Sequence, residues 1–222
     1  MSAFTLDWFD AVYRGEGPLD FPPWDVGVPQ PAFVRLYERG ELRYGRVLDA
    51  GCGTGDLALY LAGHVVEVVG CDLSPAAVDQ ARRKAASRAL PVRFEVADLT
   101  ALTRFAGWFD AVVDCGALHV LDAPDRGRYL RSLHELTLRD ATLHVLALSA
   151  DAPRFGPEGL SPETLTAELA AAGWQVRDLD RETLLERVPN ETVGRVLRAS
   201  PGDLVEVPAW LATATRRPAE QR

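Results

Sequence analysis

The chain reads Val-Leu-Asp-Ala-Gly-Cys-Gly-Thr-Gly at residues 47–55 and Val-Val-Gly-Cys-Asp-Leu-Ser at residues 68–74. Val47 and Leu48 predict a short buried strand that runs into glycines, where the missing Cβ lets the backbone turn tightly and lie against a ligand. A helix is predicted next, with free N–H groups at its start. The second apolar run ends in Asp72, where an acid in such folds accepts hydrogen bonds from a ribose diol. The two runs together predict a nucleotide-binding strand, turn, helix and strand.

The spacing of the glycines indicates which nucleotide binds. A dinucleotide fingerprint is G-x-G-x-x-G, whereas here Asp56 follows the last glycine and places a carboxylate where a pyrophosphate would lie. The observed pattern is D-x-G-x-G-x-G, formed by Asp49, Gly51, Gly53 and Gly55. It resembles motif I of the class I methyltransferases, which bind S-adenosylmethionine, a sulfonium cation without phosphate. Acidic residues near such a cation are electrostatically favourable.

Two further motifs follow in the order of that family. Residues 92–98 resemble its third strand, whose terminal Asp98 would hydrogen-bond the adenine amino group, and residues 109–120 resemble the fourth strand with the loop that lines the methyl-donor pocket. The resemblance places Asp49 near the methionyl amine. The full set of residues that it implies for the donor is Asp49, Gly51, Gly53, Gly55, Asp72, Leu73, Asp98, Leu99, Asp114 and Trp24.

The alternation of apolar strands and amphipathic helices predicts an α/β fold with a parallel sheet covered on both faces. Helices are expected at 57–62, from Ser74-Pro75 to about Ala89, around 129–136 and from Ser161 to Gly173; strands are expected at 65–71, 142–148, 174–183 and 207–215; loops are expected at 151–159 and 189–203. The resemblance implies a Rossmann-like sheet of seven strands with the last strand antiparallel. Where relatives carry Arg-Pro-Gly-Gly before the fifth strand, residues 138–141 are Leu-Arg-Asp-Ala, so we expect a local change in that turn.

Residues 1–40 are predicted to form a lid, and residues 41–222 the methyltransferase domain. Aromatic rings and prolines are dense in the first segment, which favours a rigid apolar cover over a pocket, although an arm packed for stability alone is an equal alternative. The Pro-Trp-Asp-x-Gly-x-Pro-Gln pattern at 23–30 resembles the covering segment of thiopurine, thiol and halide methyltransferases. Most of the chain resembles the actinobacterial quinone and heterocyclic-toxin methyltransferases. The predicted acceptor pocket is lined by Trp8, Tyr13, Phe21, Trp24 and His119.

His119 is the candidate for a general base, if the reaction needs one. It follows the fourth strand at the carboxyl edge of the sheet, and an imidazole near neutrality accepts a proton. A lone histidine is more often a wall residue of a pocket, and we favour that alternative. Relatives often carry Ser-x-x-Phe-His here, whereas this chain has Cys115-Gly116-Ala117-Leu118-His119, which exchanges an aromatic wall for leucine.

Composition excludes several function classes. The 222 residues suit one α/β domain, and a net charge of −8 argues against a nucleic-acid substrate, which is bound by clustered Lys and Arg. The three cysteines have neither C-x-x-C nor zinc spacing, and no set of residues predicts a metal site. The start of the sequence lacks the pattern of a signal peptide and no apolar run reaches the length of a membrane span, so we expect a cytoplasmic protein without membrane contact.

We therefore predict an enzyme that transfers methyl from S-adenosylmethionine to N, O or S of a small aromatic or heterocyclic molecule, in detoxification or secondary-metabolite tailoring. A thiol, thiopurine or halide methyltransferase is one alternative. A binding protein of the same fold, in which the donor is structural, is another. Methylation of a protein partner is disfavoured by the small chain and the apolar lid. The sequence leaves the acceptor, the methylated atom and the oligomeric state open.

Overall fold

The computed structural model describes residues 5–42, 45–65 and 67–216. The outer ends of the predicted segments 1–40 and 41–222, and residue 66 of the predicted strand 65–71, lie outside the described residues. Within them the chain forms seven strands in one sheet. The strands are β1 (Arg46–Ala50), β2 (Glu67–Asp72), β3 (Arg93–Val96), β4 (Phe109–Cys115), β5 (Thr137–Leu148), β6 (Trp174–Arg187) and β7 (Leu204–Arg216).

The strand order is β3-β2-β1-β4-β5-β7-β6, which confirms the predicted sheet. Neighbouring strands from β3 to β5 are parallel, whereas β7 runs antiparallel to both β5 and β6. The order reverses between β1 and β4, so the connections that leave these two strands diverge and open a crevice at their carboxyl ends. The glycine turn follows β1 and therefore lies at this crevice.

Helices cover both faces of the sheet. They are α1 (Leu6–Arg14), α2 (Pro31–Glu38), α3 (Asp56–Ala62), α4 (Pro75–Ser87), α5 (Ala123–Leu136), α6 (Pro162–Ala171) and α7 (Glu191–Leu197). Val47 belongs to the core on the side of α2, α3 and α4, whereas Leu48 belongs to the core under α5 and α6. Because successive residues of a strand point to opposite faces, a sheet buried on both sides needs the continuous apolar runs seen in the sequence. Within the described residues, no helix is long and apolar enough to cross a bilayer.

The edge of the sheet differs from the sequence-based expectation. Strands β6 and β7 span 14 and 13 residues and extend well beyond the predicted 174–183 and 207–215. The predicted loop 189–203 contains α7, whose first turn is capped by the Asn190 side chain accepting the Val193 N–H at 3.0 Å. The mostly polar stretch 177–183 interrupts the apolar alternation of β6, and the strand continues beyond it through Leu184 and Leu185 to Arg187.

The start of β5 shows the expected local change. The strand already begins at Thr137, and Asp140 has φ of 63°, in the left-handed region. The register with β4 shifts between Phe109 and Ala111, opposite this residue. Aspartate tolerates the left-handed region better than most residues, so a bulge replaces the glycine turn of the relatives.

The segment before β1 is joined to the sheet by hydrogen bonds from residues 23 and 30 to β6. The Gln30 side chain donates to the Leu185 carbonyl at 2.7 Å and accepts the Leu185 N–H at 2.8 Å. The Arg187 N–H donates to the Pro23 carbonyl at 2.7 Å. In α2, the Phe33 ring is completely buried in the core. Residues 23–33 are therefore held at two places, at the edge of the sheet through β6 and in the core through Phe33.

We expect Phe33→Ala to lower the free energy of unfolding by about 3 to 5 kcal/mol, because it leaves a cavity in a closed core. Val28→Ala is the matched control, since the Val28 side chain is 49% exposed and its loss should change stability by no more than about 0.5 kcal/mol. Urea denaturation followed by circular dichroism measures both. Equal effects of the two substitutions would show that α2 is a detachable arm.

Candidate functional site

The turn after β1 is closed by backbone hydrogen bonds that only glycine permits. The N–H groups of Gly51 and Cys52 both donate to the Cys71 carbonyl, at 2.8 and 3.0 Å. Gly51 has φ of 74°, and a Cβ built there would lie 2.5 Å from the Cβ of Ala117. Any larger residue would strain the backbone and clash with the loop after β4. The sequence DAGCGTG therefore brings the ends of β1, β2 and β4 together.

Asp72 is held in one orientation at the end of β2. Its Oδ2 accepts the Gly53 N–H at 2.9 Å, and its Oδ1 accepts the Ser74 N–H at 2.8 Å. Burial raises the pKa of Asp72, and these backbone hydrogen bonds act in the opposite direction. Each oxygen keeps a free lone pair toward the cavity, which Asp72 lines. The carboxylate is thus placed to accept two hydroxyl donors.

Asp49 is a buried acid beneath the turn. Its side chain accepts the Ala58 N–H in α3 at 3.0 Å, and the residue also lines the cavity. Burial raises the pKa of Asp49 to about 7. A carboxylate that is costly to keep ionised in the free protein is stabilised when a cation occupies the same cavity. This fits the predicted place of Asp49 beside a methionyl amine.

The residues after β2 and β3 form one rim of the cavity. Asp98 is exposed, and its Oδ1 accepts both the N–H and the hydroxyl of Thr100, at 2.8 and 2.7 Å. Leu99 is buried, whereas Leu73 is 43% exposed with only the cavity and solvent on that side. All three residues, which are predicted to hold the donor, line the cavity.

Asp114 does not reach the cavity, so the prediction that it binds the donor is not supported. It is fully buried, and Oδ1 accepts the Ala117 N–H at 2.9 Å while Oδ2 accepts the Tyr129 hydroxyl at 2.8 Å. Burial raises the pKa of Asp114 to about 6, against these hydrogen bonds. The carboxyl fixes the loop after β4 that contacts Gly51. Its role is to position that loop.

Aromatic residues of the first segment close over the glycine turn. The Trp24 Nε1–H donates to Tyr13 Oη at 2.7 Å, and this oxygen lies 2.8 Å from the place a Cβ on Gly53 would take. The Trp8 ring lies 6.1 Å from the Trp24 ring. Burial, together with the Asp72 carboxylate, holds the pKa of Tyr13 well above its usual value. Tyr13 therefore keeps its proton and has a hydroxyl hydrogen to offer to a ligand.

Polar contacts tie this aromatic cover to the turn. The Thr54 hydroxyl donates to Asp25 Oδ1 at 3.0 Å, and Lys84 Nζ lies 2.6 Å from the Thr54 hydroxyl and 2.9 Å from Asp56. The Asp10 carboxylate accepts the Ser74 hydroxyl at 2.6 Å and the Ala76 N–H at 2.9 Å, at the start of α4.

The cavity beneath the cover has a volume of about 310 Å³ and contains both groups of predicted residues. Phe21 is the exception on the acceptor side, since it does not line the cavity although Trp8, Tyr13, Trp24 and His119 do. Among the described residues, no Lys or Arg lines the cavity, and no cluster of His, Cys, Asp or Glu could hold a metal ion.

His119 has a defined hydrogen-bonding state. Its Nδ1 accepts the Leu148 N–H at 3.3 Å, so the neutral ring carries its proton on Nε2. Burial lowers the pKa of His119 to about 4. A ring in this tautomer offers a donor to the cavity and has no free lone pair to accept a proton. The geometry supports a wall residue and opposes the general-base alternative.

Sequence reasoning missed two residues of the site. Glu186 lies in β6 and lines the cavity, but the strand was predicted to end at residue 183. Tyr129 was assigned to a helix face, yet its hydroxyl holds Asp114. Glu186 would have been found only if β6 had been predicted to its full length, since the predicted strand ended at residue 183.

A family model, a curated relative and a solved structure all indicate the same family. Residues 47–140 match the family described as "Methyltransferase domain". A 2-heptyl-1-hydroxyquinolin-4(1H)-one methyltransferase of Mycobacteroides abscessus is 35% identical, and the alignment covers 81% of each chain. The chain is a class I S-adenosylmethionine-dependent methyltransferase. A solved structure described as "Conversion of a Disulfide Bond into a Thioacetal Group during Echinomycin Biosynthesis" is 37% identical with a TM-score of 0.82, covering 96% of this chain and 93% of that one.

A further similar structure contains ligands. The 1,6-didemethyltoxoflavin-N1-methyltransferase of Burkholderia thailandensis was solved with 1,6-didemethyltoxoflavin and S-adenosylhomocysteine bound; it is 25% identical with a TM-score of 0.62, covering 85% of this chain and 76% of that one. The cofactor of the methyltransferase is S-adenosylmethionine. The residues present fit it, because the cavity is lined by carboxyl groups and, within the described residues, by no Lys or Arg. Such a lining suits a cation and disfavours a pyrophosphate.

We expect Asp72→Ala to weaken the binding of S-adenosylhomocysteine by about 1 to 3 kcal/mol, because two ribose hydroxyls would lose their acceptor. Isothermal titration calorimetry measures the affinity. Asp79→Ala on α4 is the matched control, since that side chain is 60% exposed and does not line the cavity. Unchanged affinity in Asp72→Ala, with circular dichroism showing an intact fold, would remove Asp72 from the donor site.

We expect Asp49→Asn to stabilise the free protein at pH 8 by up to about 4 kcal/mol and to have little effect at pH 4. The folded pKa is raised to about 7, so ionisation of Asp49 destabilises the folded state progressively from the unfolded pKa near 4 up to pH 7. Asparagine carries no such charge. Denaturation at both pH values measures the difference, with the exposed Asp79→Asn as control. A gain of equal size at both pH values would contradict this assignment.

Proposed function

We propose that the methyltransferase acts on an N, O or S atom of a small aromatic or heterocyclic compound. The observation that supports this most directly is the single cavity in which the residues around the glycine turn face the rings of Trp8 and Trp24. Flat acceptors suit a slot between aromatic rings, which bury large area at low rotamer cost. A volume of about 310 Å³ is at the lower end of small-molecule sites, as expected if the donor fills part of it.

The protein contributes to the reaction by positioning the donor and the acceptor. S-adenosylmethionine supplies a methyl group that is already activated by its positive sulfur. Asp72, Asp98 and Asp49 hold the donor, while Tyr13 and Trp24 close the cavity above the turn and exclude water from it. Holding two reactants in line contributes up to about 7 to 11 kcal/mol. His119 offers its Nε2–H to a polar atom of the acceptor, which fixes the orientation of that molecule.

The lining of the cavity also separates this proposal from the alternative functions that the sequence left open. A halide or thiolate is an anion, and the described lining offers it several carboxyl groups and no cationic side chain. This disfavours anionic acceptors and favours neutral ones. A donor-binding protein without catalysis would not need an aromatic space beside the donor, so the shared cavity favours the enzyme.

The test is incubation of the purified protein with S-adenosylmethionine and a panel of acceptors, with detection by mass spectrometry. The panel contains 2-heptyl-1-hydroxyquinolin-4(1H)-one, quinones, flavonoids, N-heterocycles, aliphatic thiols and iodide. We expect S-adenosylhomocysteine and an acceptor that has gained one CH₂ unit for at least one aromatic compound. Reaction with iodide or thiols alone would favour the alternative acceptor class. Donor binding without turnover of any compound would favour the non-catalytic protein.

A further inference from the structure

One carboxyl oxygen at the cavity has no hydrogen-bond partner among the described residues. Glu186 lines the cavity, and its Oε2 is completely buried without a hydrogen bond to any described residue. Leaving a buried carboxyl oxygen unpaired costs more than an ordinary hydrogen bond contributes, so native structures rarely do so. None of the residues discussed for the donor requires Glu186. The unpaired oxygen is therefore available to a ligand in the cavity.

The strand sets the direction of this side chain. The backbone of Leu185 is bonded on both sides to Gln30, and the Arg187 N–H is bonded to Pro23. Side chains alternate along a strand, so Leu184 and Glu186 point to the same face, and both line the cavity. The hydrogen bonds from Gln30 and Pro23 to β6 thus also fix the backbone on either side of Glu186. A position fixed by backbone pairing on two sides is not a flexible surface residue.

The charges around Glu186 leave it without an ionic partner. On its own strand, Arg187 donates to the carbonyls of Gly202 and Val26. On β7, Glu206 is paired in register with Leu185 and so belongs to the opposite face. In the cover, Asp25 is committed to Thr54 and Lys84, and across the cavity His119 is neutral.

Burial alone raises the pKa of Glu186 to about 7. The contrasting acid on the same strand is Glu182, which faces the same side and pairs with Arg35 at 2.6 Å outside the cavity. A carboxyl with a pKa near neutrality exchanges protons readily under ordinary conditions, which is the property of a general base.

We propose that Glu186 binds the acceptor by accepting a hydrogen bond from its N–H or O–H group and then takes that proton. The proton forms a new O–H bond on the Glu186 carboxylate, and the electron pair of the broken N–H or O–H bond stays on the acceptor atom as the nucleophile. This inference rests on the proposed function and narrows it. It selects neutral acceptors that carry an ionisable N–H or O–H, such as N-hydroxy heterocycles, phenols or ring N–H compounds. His119, as a donor, then fixes a second polar atom of the acceptor.

The test compares Glu186→Gln and Glu186→Leu with wild type, using Glu182→Gln as the matched control on the same strand. The probe is 2-heptyl-1-hydroxyquinolin-4(1H)-one. Binding is measured by quenching of tryptophan fluorescence in the presence of S-adenosylhomocysteine, and turnover by its formation from S-adenosylmethionine. Affinity for S-adenosylhomocysteine is measured separately by calorimetry.

We expect Glu186→Leu to weaken probe binding about 10- to 100-fold, the loss of a hydrogen bond to a charged group. Glu186→Gln should lower kcat/KM about 10²- to 10⁴-fold. The wild-type kcat/KM should rise with pH to a plateau, with a midpoint near 7, and this rise should be absent in Glu186→Gln. Since the probe is the same in both proteins, the lost midpoint belongs to the enzyme. Glu182→Gln should keep the wild-type profile.

The other outcomes distinguish failure of the Glu186 inference from failure of the proposed function. Wild-type binding and turnover in both Glu186 variants would overturn the inference and leave the proposed function standing. Weaker binding of S-adenosylhomocysteine in Glu186→Leu would assign Glu186 to the donor and overturn the acceptor role. Neither binding nor turnover of the probe by wild type would overturn the inferred acceptor class. Failure of the whole acceptor panel would remove the proposed function, and the inference with it.

Discussion

The hydrogen bond from the Gly53 N–H to Asp72 Oδ2 is the contact on which the site depends. It ties the turn after β1 to the end of β2, at 2.9 Å, and so fixes both the backbone that faces the ligand and the acid that binds it. Tyr13 rests on the same glycine, and Trp24 donates to Tyr13. The glycine, the acid and the aromatic cover therefore form one assembly, and a shift of the turn would displace all of them.

Electrostatics explains why this assembly belongs to a cationic donor. Asp49 and Glu186 lie at different parts of the cavity, and burial raises the pKa of each to about 7. The nearest cation to the turn, Lys84, is held by Asp56 and Thr54 and does not line the cavity. The free enzyme thus holds acids that are poorly compensated. A bound sulfonium stabilises the ionised form of Asp49, which couples donor binding to the ionisation of that carboxyl group.

Local sequence was sufficient for the half of the fold that binds the donor. Residues 47–55 and Asp72 lie within 26 positions of one another, and their roles follow from turn chemistry and strand burial, which are short-range. The count of seven strands and the antiparallel β7 came from resemblance, and the structure confirms them. Phe21 and Asp114 do not line the cavity, because a motif gives the neighbourhood of a residue but not the direction of its side chain.

The acceptor side could not be predicted in the same way, because it is built from contacts distant in sequence. Gln30 bonds Leu185 across 155 positions, and this pairing gives Glu186 its place in the cavity. The middle of β6, residues 177–183, is mostly polar, and beyond it Leu184 and Glu186 line the cavity. A strand that lines a binding site loses the apolar alternation by which strands are found. The segment that brings Glu186 to the cavity is for that reason one whose structure the sequence conceals.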